Sequence, residues 1–166
     1  KAARIVLESR KDVIFNIAGT GPDIQMLERF ADKNNLADNI KFIGRLDSSK
    51  LLGFYDELDI YVSTSLSDGG IASSTAEAML CSRPVVITDA AENSNWVENS
   101  VNGLLFDCGD YSRLALIILE LLDNQEDAKD LGIKAKETIM QRNLYSNEMN
   151  KMQLMYKKIN ENSTNC

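Results

Sequence analysis

The stretch SDGGIASSTAEAMLC, residues 67–81, gathers the side chains best suited to chemistry. An acid, Asp68, and two glycines, Gly69 and Gly70, run into a segment that reads as a helix start, with a second acid, Glu77, inside it. Glycines directly before a helix expose backbone N–H groups, and the helix N-terminus adds its positive dipole end, so an anion can settle there. In that reading the backbone from Gly69 through Ile71, Ala72 and Ser73 forms the cradle. Asp68 faces whatever is attached to the phosphates, and the Glu77 carboxylate, at the rim of a sheet, can accept from two ribose hydroxyls. A plainer reading competes with it. Ser74-Thr75-Ala76-Glu77 is also a capping box, Ser74 at the N-cap and Glu77 three residues on, and Asp68-Gly69 is a common turn dipeptide. On pattern alone the cap is the stronger of the two.

Two further loops carry suitable residues. Gly19-Thr20-Gly21 follows an apolar run and precedes a helical one, which lets backbone approach a phosphate. It lacks the third glycine of the dinucleotide fingerprint, and no acid ends the next strand to grip a ribose, so a tight turn with nothing bound explains it equally well. Gly44-Arg45-Leu46 closes another apolar run. Arg45 is the one basic residue at an expected strand end, there to meet phosphate or simply to sit in solvent. The methionine stripe Met149, Met152 and Met155, with Tyr156, is read as packing.

These loops need elements to hold them. Apolar runs at 13–18 (VIFNIA), 39–43 (NIKFI), 59–63 (DIYVS), 84–88 (PVVIT) and 102–106 (NGLLF) predict strands. Between them lie segments of helical period. One starts at Pro22 and carries Ile24, Leu27 and Ala31. A second is capped by Asp47 or Ser48 and carries Leu51, Phe54, Tyr55 and Leu58. The third is the helix of the opening stretch. Leu114, Ile117, Ile118 and Leu121 give a strongly amphipathic helix, and two more are expected over 126–140 and 144–159. Alternating strands and helices predict one α/β domain, a Rossmann-like parallel sheet with helices on both faces, followed by C-terminal helices. In such sheets ligands bind beyond the carboxyl ends of the strands, where all three loops fall.

Composition narrows the chemistry. The net charge of −7 over 166 residues argues against nucleic acid as a partner. There is no histidine, which removes histidine-based acid–base catalysis and histidine metal sites from this segment. Carboxylates do not cluster on a shared loop, so neither a metal nor another cofactor is expected. The three cysteines are scattered, without a CxxC pair, as suits a reducing, cytoplasmic setting. No apolar run approaches the roughly 18–20 residues of a membrane span. The opening KAARIVLESRKDVIF reads as the tail of a helix leading into a strand, as in a domain met part-way through.

Taken in order, FNIAGTGPDIQMLE, NIKFIGRL, LDIYVSTSLSDGG, STAEAMLCSRPVVITD and VENSVNGLLFDCGD resemble the C-terminal, donor-binding domain of retaining GT-B glycosyltransferases, the glycosyl transferases group 1 (family 4). The resemblance runs over nearly the whole chain. It implies one half of a GT-B fold that binds a UDP-, GDP- or ADP-sugar without a metal. Transfer would go to a glycan, glycolipid or similar acceptor, with retention of configuration. Glu77 would hold the ribose hydroxyls, the backbone after Asp68 would meet the diphosphate or sugar, and Asp68 would contact sugar hydroxyls. The Gly19-Thr20-Gly21 loop would lie near the nucleotide and Gly44 to Leu46 near the base. The family spaces its two acids eight apart. Here Gly69 stands at that position and Asp68 one earlier, so the loop must be one residue longer for Asp68 to serve. Asn95 stands where many members carry a glutamate. The resemblance also implies an acceptor-binding N-terminal domain, and a first strand with an Arg/Lys loop, outside residues 1–166. This segment alone would then be inactive, and any peripheral contact with the cytoplasmic membrane face would come through the other domain. A nucleotide-sugar epimerase on the same fold and a non-catalytic interaction module are the alternatives.

Overall fold

The computed structural model describes residues 1–66 and 70–143, and Met152 beyond them. Among the described residues five strands alternate with helices, and the strands pair in parallel. In chain order the elements are α1 (Ala2–Ser9), β1 (Phe15–Ala18), α2 (Ile24–Lys33), β2 (Ile40–Gly44), α3 (Ser48–Asp56) and β3 (Tyr61–Ser63). They continue with α4 (Ser73–Leu80), β4 (Val85–Thr88), β5 (Leu104–Phe106), α5 (Tyr111–Asp123) and α6 (Gln125–Asn143). The expected helix over 144–159 lies outside the described residues except for Met152, which is helical and exposed.

β4 is buried along its whole length, as a run of Val-Val-Ile in a strand covered on both faces requires. Alternation sends Val85 and Ile87 into one layer, with Met79 of α4, Ala135 and Ile139 of α6 and Tyr55 of α3. Val86 points into the other, with Val6 of α1 and Leu114, Ala115 and Ile118 of α5. Each fully buried aliphatic side chain contributes about 1.5–3 kcal/mol. The expected helices on both faces are therefore present. A smaller cluster joins Leu7, Ala31 and Leu36 to Phe15, Ile40 and Phe42, seating α1 and α2 on β1 and β2.

The sheet is divided. β1 pairs with β2, and β3, β4 and β5 form a separate three-stranded piece. Phe15 N–H donates to Asn39 O at 2.7 Å and Tyr61 N–H to Pro84 O at 3.0 Å. Because successive residues of a strand turn their amides to opposite edges, the amides of Asn16 and Val62 face each other across the division. A cleft of about 1360 Å³ fills it, running from Arg10 and Asp12 at the amino ends of the strands to Gly19 and Glu77 at the carboxyl ends.

Helix starts differ in detail from the sequence reading. The helix expected at Pro22 begins at Ile24 with Asp23 at its N-cap, and α3 has Asp47 at its N-cap; neither aspartate makes a side-chain cap bond. The buried Asn102 holds the loop before β5 in place. It accepts from Glu98 N–H at 2.8 Å and donates to Trp96 O at 3.1 Å and to Thr138 Oγ1 of α6 at 2.9 Å. Asn102→Ala should lower unfolding free energy by about 2–3 kcal/mol, because buried partners lose their bonds. Chemical denaturation checks this, and a midpoint matching the parent's would rule out the assigned network.

Candidate functional site

The carboxyl ends of the strands open into the cleft, and three loops converge there. After β1 the chain turns at Gly19, whose φ of +127° only glycine adopts without strain, although a β-carbon there would meet nothing within 4 Å. Gly19 N–H donates to Gly44 O at 2.7 Å, which ties the loop after β1 to the end of β2. Gly19, Arg45, Leu46, Ser73 and Glu77 all line the cleft. Arg45 is exposed at its mouth and, among the described residues, makes no ion pair. Thr20 and Gly21 are exposed and do not line it. Gly70 (φ +109°) and Ala72 lead into α4, and Ile71 packs against the core beside them. Asp68 and Gly69 lie outside the described residues.

α4 corrects the capping-box reading. Its N-cap is Ala72, not Ser74, and no side chain caps it. Glu77 therefore stands five residues past the cap, too far into the helix for the reciprocal bond of a capping box. Ser74 spends its hydroxyl elsewhere: Tyr61 Oη donates to Ser74 Oγ at 2.8 Å, and Thr75 Oγ1 lies 3.5 Å from the same phenol. The first bond of α4 runs from Ala76 N–H to Ala72 O at 3.0 Å, so the amides of Ser73, Ser74 and Thr75 have no intrahelical acceptor. They sit beside the cleft with the positive end of the helix dipole.

Glu77 is half-buried, and its Oε2 accepts from Tyr55 Oη at 2.9 Å. Burial first, and the Glu77 hydrogen bond second, raise the Tyr55 pKa well above the ordinary tyrosine value, so the phenol stays a donor throughout the neutral range. Neither Tyr55 nor Tyr61 was legible as a site residue, since Tyr55 falls in the apolar stripe of α3. The available signal was the phenol itself, which needs a partner when buried. Among the described residues no group of three or more Cys, Asp or Glu side chains is placed to hold a metal. Nor, among them, is any helix long and apolar enough to cross a membrane.

An anion-attracting helix start, a carboxylate five residues behind it and a free guanidinium thus share one cleft at a sheet's carboxyl end. The sequence pattern of the family described as Glycosyl transferases group 1 matches residues 1–138. The chain belongs to that family. An uncharacterised glycosyltransferase of Methanocaldococcus jannaschii is 33% identical to this glycosyl transferases group 1 chain over 139 residues, covering 82% of it and 39% of the relative. The poly(ribitol-phosphate) alpha-N-acetylglucosaminyltransferase of Staphylococcus aureus is 30% identical over 149 residues, covering 89% and 29%. The structure of an S. aureus TarM mutant in complex with fondaparinux, alpha-GlcNAc-glycerol and UDP superposes with a TM-score of 0.84. It is 27% identical, and the match covers 93% of this chain and 31% of that one. The chain thus spans about 29–39% of the length of the relatives it first matches, and its fold is one Rossmann-like half of the GT-B type.

Proposed function

We propose that this chain is the donor-binding half of a retaining glycosyltransferase that takes a sugar from a nucleoside diphosphate and gives it to a glycan, glycolipid or similar acceptor. The observation that carries this reading is the meeting of Glu77 with the uncapped N-terminus of α4 in one cleft. Glu77 has a free carboxylate oxygen for ribose hydroxyls, and the amides of Ser73 to Thr75 supply preorganised donors.

The chemistry follows from charge. As the bond between the anomeric carbon and the diphosphate breaks, negative charge grows on the leaving phosphate oxygens. Fixed N–H groups and Arg45 at the mouth of the cleft stabilise that charge more in the transition state than in the ground state. The charge is met without a metal ion. The nucleotide is UDP, GDP or ADP. UDP is bound in the TarM complex, while a relative in Corynebacterium glutamicum is named as GDP-mannose-dependent and acts on a phosphatidylinositol mannoside. Polymer and lipid acceptors therefore both occur among relatives, and the acceptor is received by a second, N-terminal domain. The setting is cytoplasmic, with contact at the membrane face where the acceptor is a lipid.

The divided sheet supports one further part of the reading. A parallel strand from outside residues 1–166 would lie between β1 and β3 and pair with both facing edges, leaving the carboxyl-end mouth beside Glu77 and α4 open to the donor. Hydrogen exchange on the full-length protein should then find the amides of Asn16 and Val62 as protected as those of β4. Rapid exchange at both would eliminate that strand.

Calorimetric titration of the full-length protein with UDP, GDP and ADP tests the central claim. One of the three should bind in the range of about 1 µM to 1 mM usual for enzyme substrates. Binding by none of them would overturn it.

A further inference from the structure

Tyr55 reaches the candidate site from an element that carries none of its expected residues. It is the penultimate residue of α3 and only 4% exposed, with its ring packed at 6.0 Å from Phe54 and 6.3 Å from Tyr61, centroid to centroid. Its hydroxyl ends 2.9 Å from Glu77 Oε2. The backbone around this contact is held independently of it. Arg83 Nη1 donates to Leu58 O and Arg83 Nε to Cys81 O, both at 2.9 Å, which locks the C-terminal ends of α3 and α4 together. Tyr55 therefore approaches Glu77 from a rigid direction. Glu77 itself has three side-chain torsions and lies on a half-exposed helix face, so without a partner its carboxylate would sample several rotamers.

A carboxylate has two oxygens and about four acceptor positions. Tyr55 occupies one on Oε2, and among the described residues no other side-chain hydrogen bond to Glu77 is made. Among the described side chains, Oε1 and the second acceptor position of Oε2 have no hydrogen-bond partner. Two acceptor positions on one fixed carboxylate edge match two hydroxyls on adjacent carbons. A single hydroxyl would leave one of them unmet.

Building on the donor-binding reading above, we infer that Tyr55 is a positioning residue. It fixes the Glu77 carboxylate in the orientation that grips the vicinal diol of the donor's ribose, and so makes the site selective for ribose over 2′-deoxyribose. Tyr55 does not touch the nucleotide. It acts through Glu77, and loses its effect when Glu77 cannot respond.

The test is a double-mutant cycle on the full-length protein. UDP, GDP and ADP are titrated in turn, and the tightest of them is carried forward with its 2′-deoxy counterpart. The parent should prefer the ribonucleotide by about tenfold or more, as the loss of one hydrogen bond to a charged acceptor implies. Tyr55→Phe should weaken ribonucleotide binding about 5–10-fold, leave the 2′-deoxynucleotide within about twofold, and so collapse the preference. In a Glu77→Ala background the same Tyr55→Phe change should move neither affinity by more than about twofold. A purely structural role for Tyr55 would weaken both nucleotides equally in both backgrounds, and that pattern overturns the inference. So does a Tyr55→Phe protein with its preference intact. If a nucleotide binds and Glu77→Ala removes the binding while Tyr55→Phe does nothing, the positioning role alone fails. If no nucleotide binds the parent, the donor-site reading fails and takes this inference with it. Melting curves of each variant show whether the fold survived, and Glu77→Gln, which keeps an acceptor for Tyr55, gives a second background in which Tyr55→Phe should still weaken ribonucleotide binding more than 2′-deoxynucleotide binding.

Discussion

Glu77→Ala should weaken binding of the nucleotide donor by more than about 100-fold. Two hydrogen bonds to a charged acceptor are lost, each worth about 1.5–3 kcal/mol. The substitution has a second effect, since it strips the buried Tyr55 hydroxyl of its acceptor, which costs the fold about 1–3 kcal/mol. Glu77→Gln separates the two. The amide oxygen still accepts from Tyr55, so melting should stay within about 2 °C of the parent. The charge is gone and one acceptor has become a donor, so affinity should still fall by about tenfold. Were Glu77 only an acceptor for the buried Tyr55 hydroxyl, the glutamine variant would bind nucleotide as the parent does. Calorimetry and thermal melting on the two variants decide between these outcomes.

Gly132→Ala should be strongly destabilising, although the substitution adds a single methyl group. Gly132 lies in α6, where a β-carbon would sit 2.1 Å from Ser82 O and 2.9 Å from Ser82 C. Those are backbone atoms of the turn between α4 and β4, and the turn cannot retreat. Ser82 N–H is bonded to Met79 O at 2.9 Å and Arg83 N–H to Ala78 O at 3.0 Å, with Ser82 already at a φ of +56°. Alanine in a helix interior gains about 1 kcal/mol over glycine. Overpacking costs about 1–3 kcal/mol, and a 2.1 Å approach to fixed backbone takes the upper end, so the clash wins by about 2 kcal/mol. A chain of this size should then melt lower by about 4–8 °C. Gly53→Ala in α3 is the matched comparison, because nothing lies within 4 Å of its added carbon. It should stabilise the protein by up to about 1 kcal/mol. Equal melting temperatures for the two variants would deny the close approach of α6 to the turn.

Much of this was legible in the residues. The uncharged run from Pro84 to Thr88, PVVIT, reads as a buried strand, and β4 is buried along its whole length. The glycines at 19 and 44 marked strand ends correctly because left-handed backbone is a property of single residues. What the sequence could not carry was the use made of hydroxyls. Ser74 looked like a cap because serine so often is one, but a long-range partner, Tyr61, took its oxygen. Tyr55 looked like core, and its ring is core; only the tertiary fold brings its one polar atom to Glu77. Capping is decided by neighbours in sequence, whereas these bonds cross 13 and 22 residues.

The division of the sheet has a bearing on how the chain behaves in company. Strand edges at the rim of a protein are commonly blunted by charge, proline or a bulge. Here two edges lie inside the molecule, and Asn16 and Val62 offer their amides across an open channel to any extended polypeptide. The exposed Ile14, which lines the cleft, favours an apolar one. A strand that entered between them would pair on both sides at once, which a single outer edge never allows, so the two halves of the sheet would be joined by it rather than merely extended.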